Sequence, residues 1–69
     1  MAKFSERLKE LRVERGLKLK EVAERLNVTI RSISRYEDGS REPSVDMIIK
    51  FCKLYGVTSD YLLGLTDSY

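Results

Sequence analysis

The stretch "EVAERLNVTIRSISRYEDG", residues 21–39, decides the fold that this sequence predicts. Apolar residues recur at helical spacing on both sides of its centre, which predicts two helices, at about 18–26 and 30–38. Asn27 lies between them and tolerates the left-handed backbone conformation that a tight turn requires. Thr29 can cap the second helix through its hydroxyl. Because the connection is only about three residues long, the two helices must cross steeply.

The residues around this turn predict how closely the two helices pack. Ala23 is small enough to let one helix approach the other, and Val28 and Ile33 are placed to fill the angle between them. Each residue alone is unremarkable, but together they are typical of a helix–turn–helix motif over about residues 18–38.

The second helix of this motif has two distinct faces. With Ile33 turned inward and about 100° per residue, Tyr36 and Glu37 fall on the inner side and Arg31 and Arg35 on the outer side. The planar fork of arginine can bind a guanine edge or a phosphate, and an α-helix fits the major groove of DNA. This pattern favours a face that reads double-stranded DNA. The alternative, a solvated face with two exposed arginines, stays open at this point.

Three further side chains flank the two arginines. The hydroxyls of Ser32 and Ser34 suit contacts to phosphates or bases. Ile30 lies in the first helical turn, where it could pack inward or touch a thymine methyl group. The helical wheel slightly favours inward packing for Ile30.

The rest of the chain also predicts helices, so we expect one all-α domain over residues 1–69. Phe4, Leu8 and Leu11 mark a first helix at about 4–15. Beyond the loop at 40–44, two C-terminal helices are expected within about 45–64, the first capped by Ser44 and the second by Thr58 or Ser59. The predicted inward stripe of the fourth helix consists of Val45, Ile48, Ile49 and Cys52.

The residue composition argues against catalytic and metal chemistry. The chain has one cysteine and no histidine, so neither an internal disulfide nor a zinc site is expected. Cys52 has no histidine to activate it and is interpreted as a small buried apolar residue. Without a metal cluster, a phosphate-binding loop or a nucleophile–base pair, we expect no enzyme activity and no cofactor.

Charge is unevenly distributed along the chain. Residues 12–35 carry seven basic and three acidic residues, whereas residues 36–69 carry three basic and six acidic residues. Such asymmetry indicates an anionic partner for the first half. No apolar run approaches the length of a membrane span, and the N-terminus lacks the apolar core of a signal peptide, so a cytoplasmic location is expected.

Residues 7–67 resemble the Cro and phage-repressor type of helix–turn–helix domain, the xenobiotic-response-element family. The most specific segments are "LRVERGL", "EVAERLNV", "SISRYEDGSREPS" and "GVTSDYLLGLTD". The resemblance implies a compact five-helix bundle of the lambda-repressor-like type that binds operator DNA as a homodimer, with its third helix in the major groove. It further implies a transcriptional regulator, in the first place a repressor, acting at the nucleoid of a prokaryote or encoded by a phage.

The resemblance also implies roles for individual residues. One departure is Leu19, where the family usually has a glutamine that contacts phosphate, so a neighbouring lysine is expected to replace that contact. The loop after the third helix is expected to offer backbone N–H groups to phosphate. The resemblance implies base contacts by Ile30, Arg31, Ser34 and Arg35 and phosphate contacts by Gly39, Ser40 and Arg41. Further phosphate contacts are expected from the charge of Lys18 and Lys20 and from the hydroxyls of Thr29 and Ser32.

Two further roles lie outside the expected DNA surface. Arg12 and Glu37 are implied to form a partly buried ion pair, which makes Arg12 structural. The C-terminal part should carry the dimer interface, although packing in the core is an equal alternative for Val57 and Tyr61. The expected interface residues are Tyr55, Val57, Tyr61 and Leu65. A competing function is a protein-interaction module of the same fold, such as an antitoxin or anti-repressor subunit, using the acidic C-terminal half and its tyrosines.

Overall fold

The structure is a computed structural model that describes residues 3–69. Over these residues the chain forms five α-helices and no strand, which confirms the predicted all-α fold. No helix among the described residues is both long enough and apolar enough to cross a membrane. The helices are α1 (Lys3–Glu14), α2 (Leu19–Leu26), α3 (Ile30–Asp38), α4 (Val45–Tyr55) and α5 (Ser59–Leu62).

Three helices begin at a hydroxyl residue that acts as the N-cap. The hydroxyls of Thr29, Ser44 and Thr58 each accept the backbone N–H of the residue three positions later, at 3.1–3.2 Å. Such a cap satisfies one of the N–H groups that a helix start leaves unpaired. The fifth helix is therefore capped by Thr58 and not by Ser59.

The second helix begins without a hydroxyl cap. Lys18 occupies the N-cap position, and its ammonium group has no acceptor to offer. Instead, the Glu21 carboxylate accepts the backbone N–H of Lys18 at 2.7 Å. This is one half of a capping box, and it sets the start of α2 at Leu19.

The turn between α2 and α3 depends on Asn27. This residue has φ 59° and ψ 45° and is the only non-glycine residue with positive φ among those described. The next backbone N–H, that of Val28, donates to the Ala23 carbonyl at 3.0 Å and closes the end of α2. The Val28 side chain is half-buried against the core, as the sequence predicts.

The core joins all five helices around one aromatic residue of α4. Phe51 is fully buried and meets the rings of Phe4 and Tyr36 edge to face, with centroids 6.1 and 5.8 Å apart. Such arrangements are favourable for aromatic pairs. The core residues are Leu8, Leu11, Val22, Ala23, Leu26, Ile33, Tyr36, Met47, Phe51, Tyr55, Val57 and Leu62.

The predicted inward face of α4 is wrong. Val45 and Ile49 are 72% and 47% exposed, and Ile48 and Cys52 are only half-buried. Both candidate stripes follow helical spacing, and the stripe with the larger side chains is the one that is buried, since aromatic rings remove more apolar surface from water. The buried stripe consists of Met47, Phe51 and Tyr55.

Two residues expected at the dimer interface belong to the core instead. Tyr55 is 3% exposed and Val57 is 7% exposed within the single chain. The ring of Tyr55 stacks parallel to that of Phe51 at 6.4 Å. Because both side chains are already covered by their own chain, neither can form a surface for a second copy.

Candidate nucleic-acid interface

The outer face of α3 carries two basic side chains, Arg31 and Arg35. Ile33 and Tyr36 are 0% and 8% exposed and hold the opposite face of the helix in the core. Arg31 is exposed and Arg35 is half-exposed. Among residues 3–69, no hydrogen bond or ion pair engages either guanidinium group. Both groups are therefore available to an acceptor outside the chain.

The two other predicted base-contacting residues differ in exposure. Ile30 is 48% exposed, so the inward packing that the helical wheel favoured is wrong, and its side chain is accessible beside Arg31. Ser34 is half-buried in a shallow depression that Lys9 and Glu37 also line. Of these two residues, Ile30 is thus the more accessible to a groove-sized partner.

Three of the predicted phosphate-contacting side chains lie together at the start of α3. The Thr29 hydroxyl donates to the Ser32 hydroxyl at 3.0 Å. Nη1 of Arg41 donates to the same Ser32 oxygen at 3.1 Å, although Arg41 belongs to the loop after α3. The Arg41 guanidinium also lies over the Tyr36 ring, 6.0 Å from its centroid. These contacts place the Arg41 guanidinium beside the first turn of α3.

The backbone N–H groups of this loop are satisfied within the chain. Those of Gly39, Ser40 and Arg41 all donate to the Arg35 carbonyl, the last two at 3.1 and 3.3 Å. The Ser40 N–H also donates to Oδ1 of Asp38 at 2.8 Å, and hydrogen bonding from Ser40 lowers the pKa of that carboxyl.

This geometry does not support the expectation that the loop N–H groups bind phosphate. Gly39, at φ 83°, ends the helix and has no side chain to offer in their place. The side chains of Ser40 and Arg41 are exposed and so remain accessible to phosphate.

At the start of α2, the basic residues are exposed and the apolar one is not. Lys18 and Lys20 are both exposed, whereas Leu19 is half-buried against the core. Leu19 therefore extends the apolar stripe of α2 and cannot contact phosphate. The cationic groups at this helix start, where the helix dipole also favours an anion, are the two lysines.

Arg12 and Glu37 form an ion pair that connects α1 to α3. Nε and Nη2 of Arg12 donate to the two Glu37 carboxylate oxygens at 2.8 and 3.1 Å, and Nη1 donates to the Leu17 carbonyl at 3.0 Å. The side chains are only 14% and 7% exposed. Hydrogen bonding to Glu37 raises the pKa of Arg12. Since its donors are directed into the molecule, Arg12 positions α3 and does not face a nucleic acid.

Arg7 was not singled out by the sequence, yet it holds the C-terminal segment against α1. Its guanidinium lies over the Tyr61 ring, 4.1 Å from the centroid, and donates to the Tyr61 carbonyl. It also donates to the Thr66 carbonyl at 2.6 Å and to Oδ1 of Asp67 at 2.9 Å. The partners are 54 to 60 residues away, so no local pattern could reveal this contact.

The remaining two predicted interface residues differ from each other. Tyr61 is covered on one side by Arg7 and meets the edge of Tyr69 at 4.8 Å, and burial raises its pKa. Leu65 is 73% exposed. Of these two residues, only Leu65 therefore presents an uncovered apolar side chain.

No group of three or more potential metal-ligating side chains occurs in the described part of the chain.

The helices α2 and α3 are joined by the three residues 27–29, and α3 has a basic outer face. They define a helix–turn–helix domain, and comparison with known proteins places it in a family. The family model described as helix-turn-helix matches residues 8–62. The chain belongs to this family, which confirms the resemblance to the Cro and phage-repressor type that the sequence motifs carry.

Named relatives and a solved structure agree with this assignment. The chain is 46% identical over 61 residues to the HTH-type transcriptional regulator ImmR of Bacillus subtilis, covering 88% of this chain and 48% of that protein. It is 39% identical over 54 residues to the cryptic phage CTXphi transcriptional repressor RstR of Vibrio cholerae, covering 78% and 49%. It therefore spans about half the length of these relatives.

The fold comparison reaches the same class. The crystal structure of a transcriptional regulator from Listeria innocua superposes with a TM-score of 0.83 at 34% sequence identity. The superposition covers 88% of this chain and 57% of that one.

Proposed function

We propose that this chain is a sequence-specific, double-stranded DNA-binding domain of a transcriptional regulator, acting as a repressor, with α3 in the major groove. One observation carries the proposal: Arg31 and Arg35, which have no hydrogen-bond or ion-pair partner among residues 3–69, project from a helix whose other face is fixed in the core. The names of the relatives, a regulator and a phage repressor, support it.

Base recognition is assigned to the outer face of α3. Arg31 and Arg35 supply two-point hydrogen bonds to guanine edges, and Ile30 supplies an apolar contact to a thymine methyl. Ser34, which is half-buried, completes this face at the side nearer α1.

Phosphate contacts are assigned to two groups of polar side chains. Lys18 and Lys20 stand at the start of α2, where cations and the helix dipole attract the same anion. The second group consists of the hydrogen-bonded side chains of Thr29, Ser32 and Arg41, together with the exposed side chain of Ser40. Because these contacts carry no sequence information, they set register and salt dependence.

The proposed regulator binds its operator as a homodimer in the cytoplasm of a prokaryote, where DNA is accessible. A two-fold symmetric protein reads a palindromic site with half-sites about one helical turn apart. Such pairing doubles the small number of base contacts that one α3 can make.

Selection of bound sites from a random double-stranded DNA library tests this function. We expect enrichment of one motif that contains guanines in each half. The variants Arg31→Ala and Arg35→Ala should each lose the preference at particular base pairs. If both variants enrich the same motif as the native chain, or if the native chain enriches none, the proposed function is wrong.

A protein-interaction module would use the acidic C-terminal half and its tyrosines as a contact surface. Tyr55 is buried in the core, and Tyr61 lies between Arg7 and Tyr69.

A further inference from the structure

One face of α4 is apolar and exposed. Val45 and Ile49 are 72% and 47% exposed, and the half-buried Cys52, which also packs against the core, continues the same stripe one turn further on. At about 100° per residue, Val45 and Cys52 both lie within about 60° of Ile49 and on the same side of it.

The two edges of this face have intramolecular contacts, which delimit it. On one side, Ile48 lines a groove that Phe4 and Leu63 also line. On the other side, Nζ of Lys50 donates to the Leu26 carbonyl at 3.3 Å. The stripe between these edges faces away from the core residues Met47 and Phe51.

Two opposite charges flank the stripe. On the helical wheel, Asp46 and Lys53 lie within about 60° of Ile49, on the side opposite to Val45. Both are exposed, and no ion pair between described residues involves either one. Along the helix axis, Asp46 precedes Ile49 by about 4.5 Å and Lys53 follows it by about 6 Å, at 1.5 Å per residue.

These positions are self-complementary about a two-fold axis through Ile49. In an antiparallel pair of α4 helices, such an axis places each flank of one helix beside the same flank of the other. The residues along the two flanks then run in opposite directions. Asp46 then lies level with Lys53 of the partner subunit to within about 1.5 Å. On the other flank, Val45 lies level with Cys52 of the partner subunit. Opposite charges and apolar side chains are thus both matched, as an isologous interface requires.

We infer that this face of α4 binds a second copy of the chain, with the two helices antiparallel and Ile49 at the two-fold axis. The inference rests on the proposed homodimer and replaces the interface expected around Tyr55 and Val57. The face is assigned to a second copy of the chain because Asp46 and Lys53 of one copy match the opposite charges of the other.

Sedimentation equilibrium without DNA, at protein concentrations from about 10 µM to 1 mM, tests whether two copies associate through this face. Small interfaces typically associate in this concentration range. We expect a monomer–dimer equilibrium that Ile49→Arg weakens at least about tenfold. Leu65→Arg, which adds the same charge at another exposed apolar position, should leave it unchanged. A native chain that stays monomeric, or a dimer lost in Leu65→Arg and kept in Ile49→Arg, overturns the inference.

Charge exchange tests the antiparallel register. Asp46→Lys and Lys53→Asp should each weaken the dimer, because each places like charges opposite one another. The double exchange should restore association to within about threefold of the native chain, whereas a merely structural role of either residue predicts no recovery. Thermal unfolding of each variant controls for folding. A double variant as weak as the singles overturns this register.

Cross-linking tests the axis itself. In a Cys52→Ser background, Ile49→Cys should form a disulfide-linked dimer on oxidation, since two copies of position 49 face each other. Val13→Cys, which is 60% exposed on α1 in the native chain, is the matched control and should not cross-link. Equal cross-linking of both overturns the proposed axis. Failure of the α4 dimer leaves library selection by the monomer intact, so it is distinguishable from failure of DNA binding.

Discussion

The guanidinium of Arg12 and the carboxylate of Glu37 meet through two hydrogen bonds, 2.8 and 3.1 Å long, and so connect α1 to the last turn of α3. This pair is shielded from water on both sides, with 14% and 7% of the side chains exposed. Breaking such a pair strands one charge in a poorly hydrated environment, which costs more than the pair itself contributes.

We expect Arg12→Met to lower the free energy of unfolding by about 3 kcal/mol, because the Glu37 carboxylate loses both of its hydrogen bonds. Urea denaturation at neutral pH measures the effect. The double variant Arg12→Met, Glu37→Met should be more stable than the single variant, since no charge is left unpaired. A single variant as stable as the native chain would show that the pair is solvated.

Removal of the Thr29 hydroxyl should destabilise α3 locally. Thr29→Ala leaves the Ser32 N–H without its acceptor, and we expect a loss of about 1 kcal/mol in the free energy of unfolding. Thr29→Ser keeps the oxygen and is the matched control, expected within a few tenths of the native value. Equal losses in both variants would assign the effect to the methyl group and not to the cap.

Tyr55 should make stability fall at high pH. Burial raises the pKa of its hydroxyl to about 12, with Glu37 adding to the effect, while the unfolded chain keeps the ordinary value of 10. Above pH 10 the unfolded state therefore ionises first, and stability present below pH 10 is lost as pH rises towards 12. The difference between the pKa values of Tyr55 in the folded and unfolded states corresponds to about 2–3 kcal/mol in the free energy of unfolding.

The variant Tyr55→Phe isolates this effect. The Tyr55 hydroxyl is buried without a hydrogen-bond partner, so its removal should change stability at pH 7 by less than about 0.5 kcal/mol, or increase it. Urea denaturation of both proteins from pH 9 to 12 gives the difference that belongs to Tyr55 alone. Parallel pH profiles would contradict the prediction.

Substitutions at the proposed DNA surface should separate specificity from affinity. Arg31→Ala or Arg35→Ala should cost about 1–3 kcal/mol at particular base pairs of the selected site and little on other sequences. Lys20→Ala should weaken binding evenly across sequences and reduce the salt slope by about one. Competition binding on matched and mutated sites measures both, and a uniform loss in the arginine variants would reassign them to phosphates.

Helix positions in this chain could be predicted because their signals are local. Thr29 and Ser44 cap helices where the sequence places them, and Asn27 adopts the left-handed turn. The buried face of α3 could also be predicted, since Ile33 and Tyr36 lie three residues apart in a largely polar helix. The third apolar residue, Ile30, was favoured to pack inward and is exposed instead.

The inward face of α4 could not be predicted in the same way, because this helix has apolar residues on two sides. Spacing alone does not distinguish Val45 and Ile49 from Met47 and Phe51, and packing against other helices decides between them. The contacts of Arg7 likewise depend on the position of a distant segment of the chain. The hydrogen bonds that the N–H groups of residues 39–41 donate to the Arg35 carbonyl depend on the conformation of the loop backbone. None of these has a signature in local spacing.

The division of α3 into an anchored side and a projecting side has a consequence for how this protein can change. Ile33, Tyr36 and Glu37 hold the helix, whereas Ile30 and Arg31 stand outside the hydrogen bonds that secure it. Substitutions at the projecting residues can therefore change the recognised DNA sequence without disturbing the packing of the helix. A new specificity then needs only a few mutations, each with little effect on the free energy of unfolding.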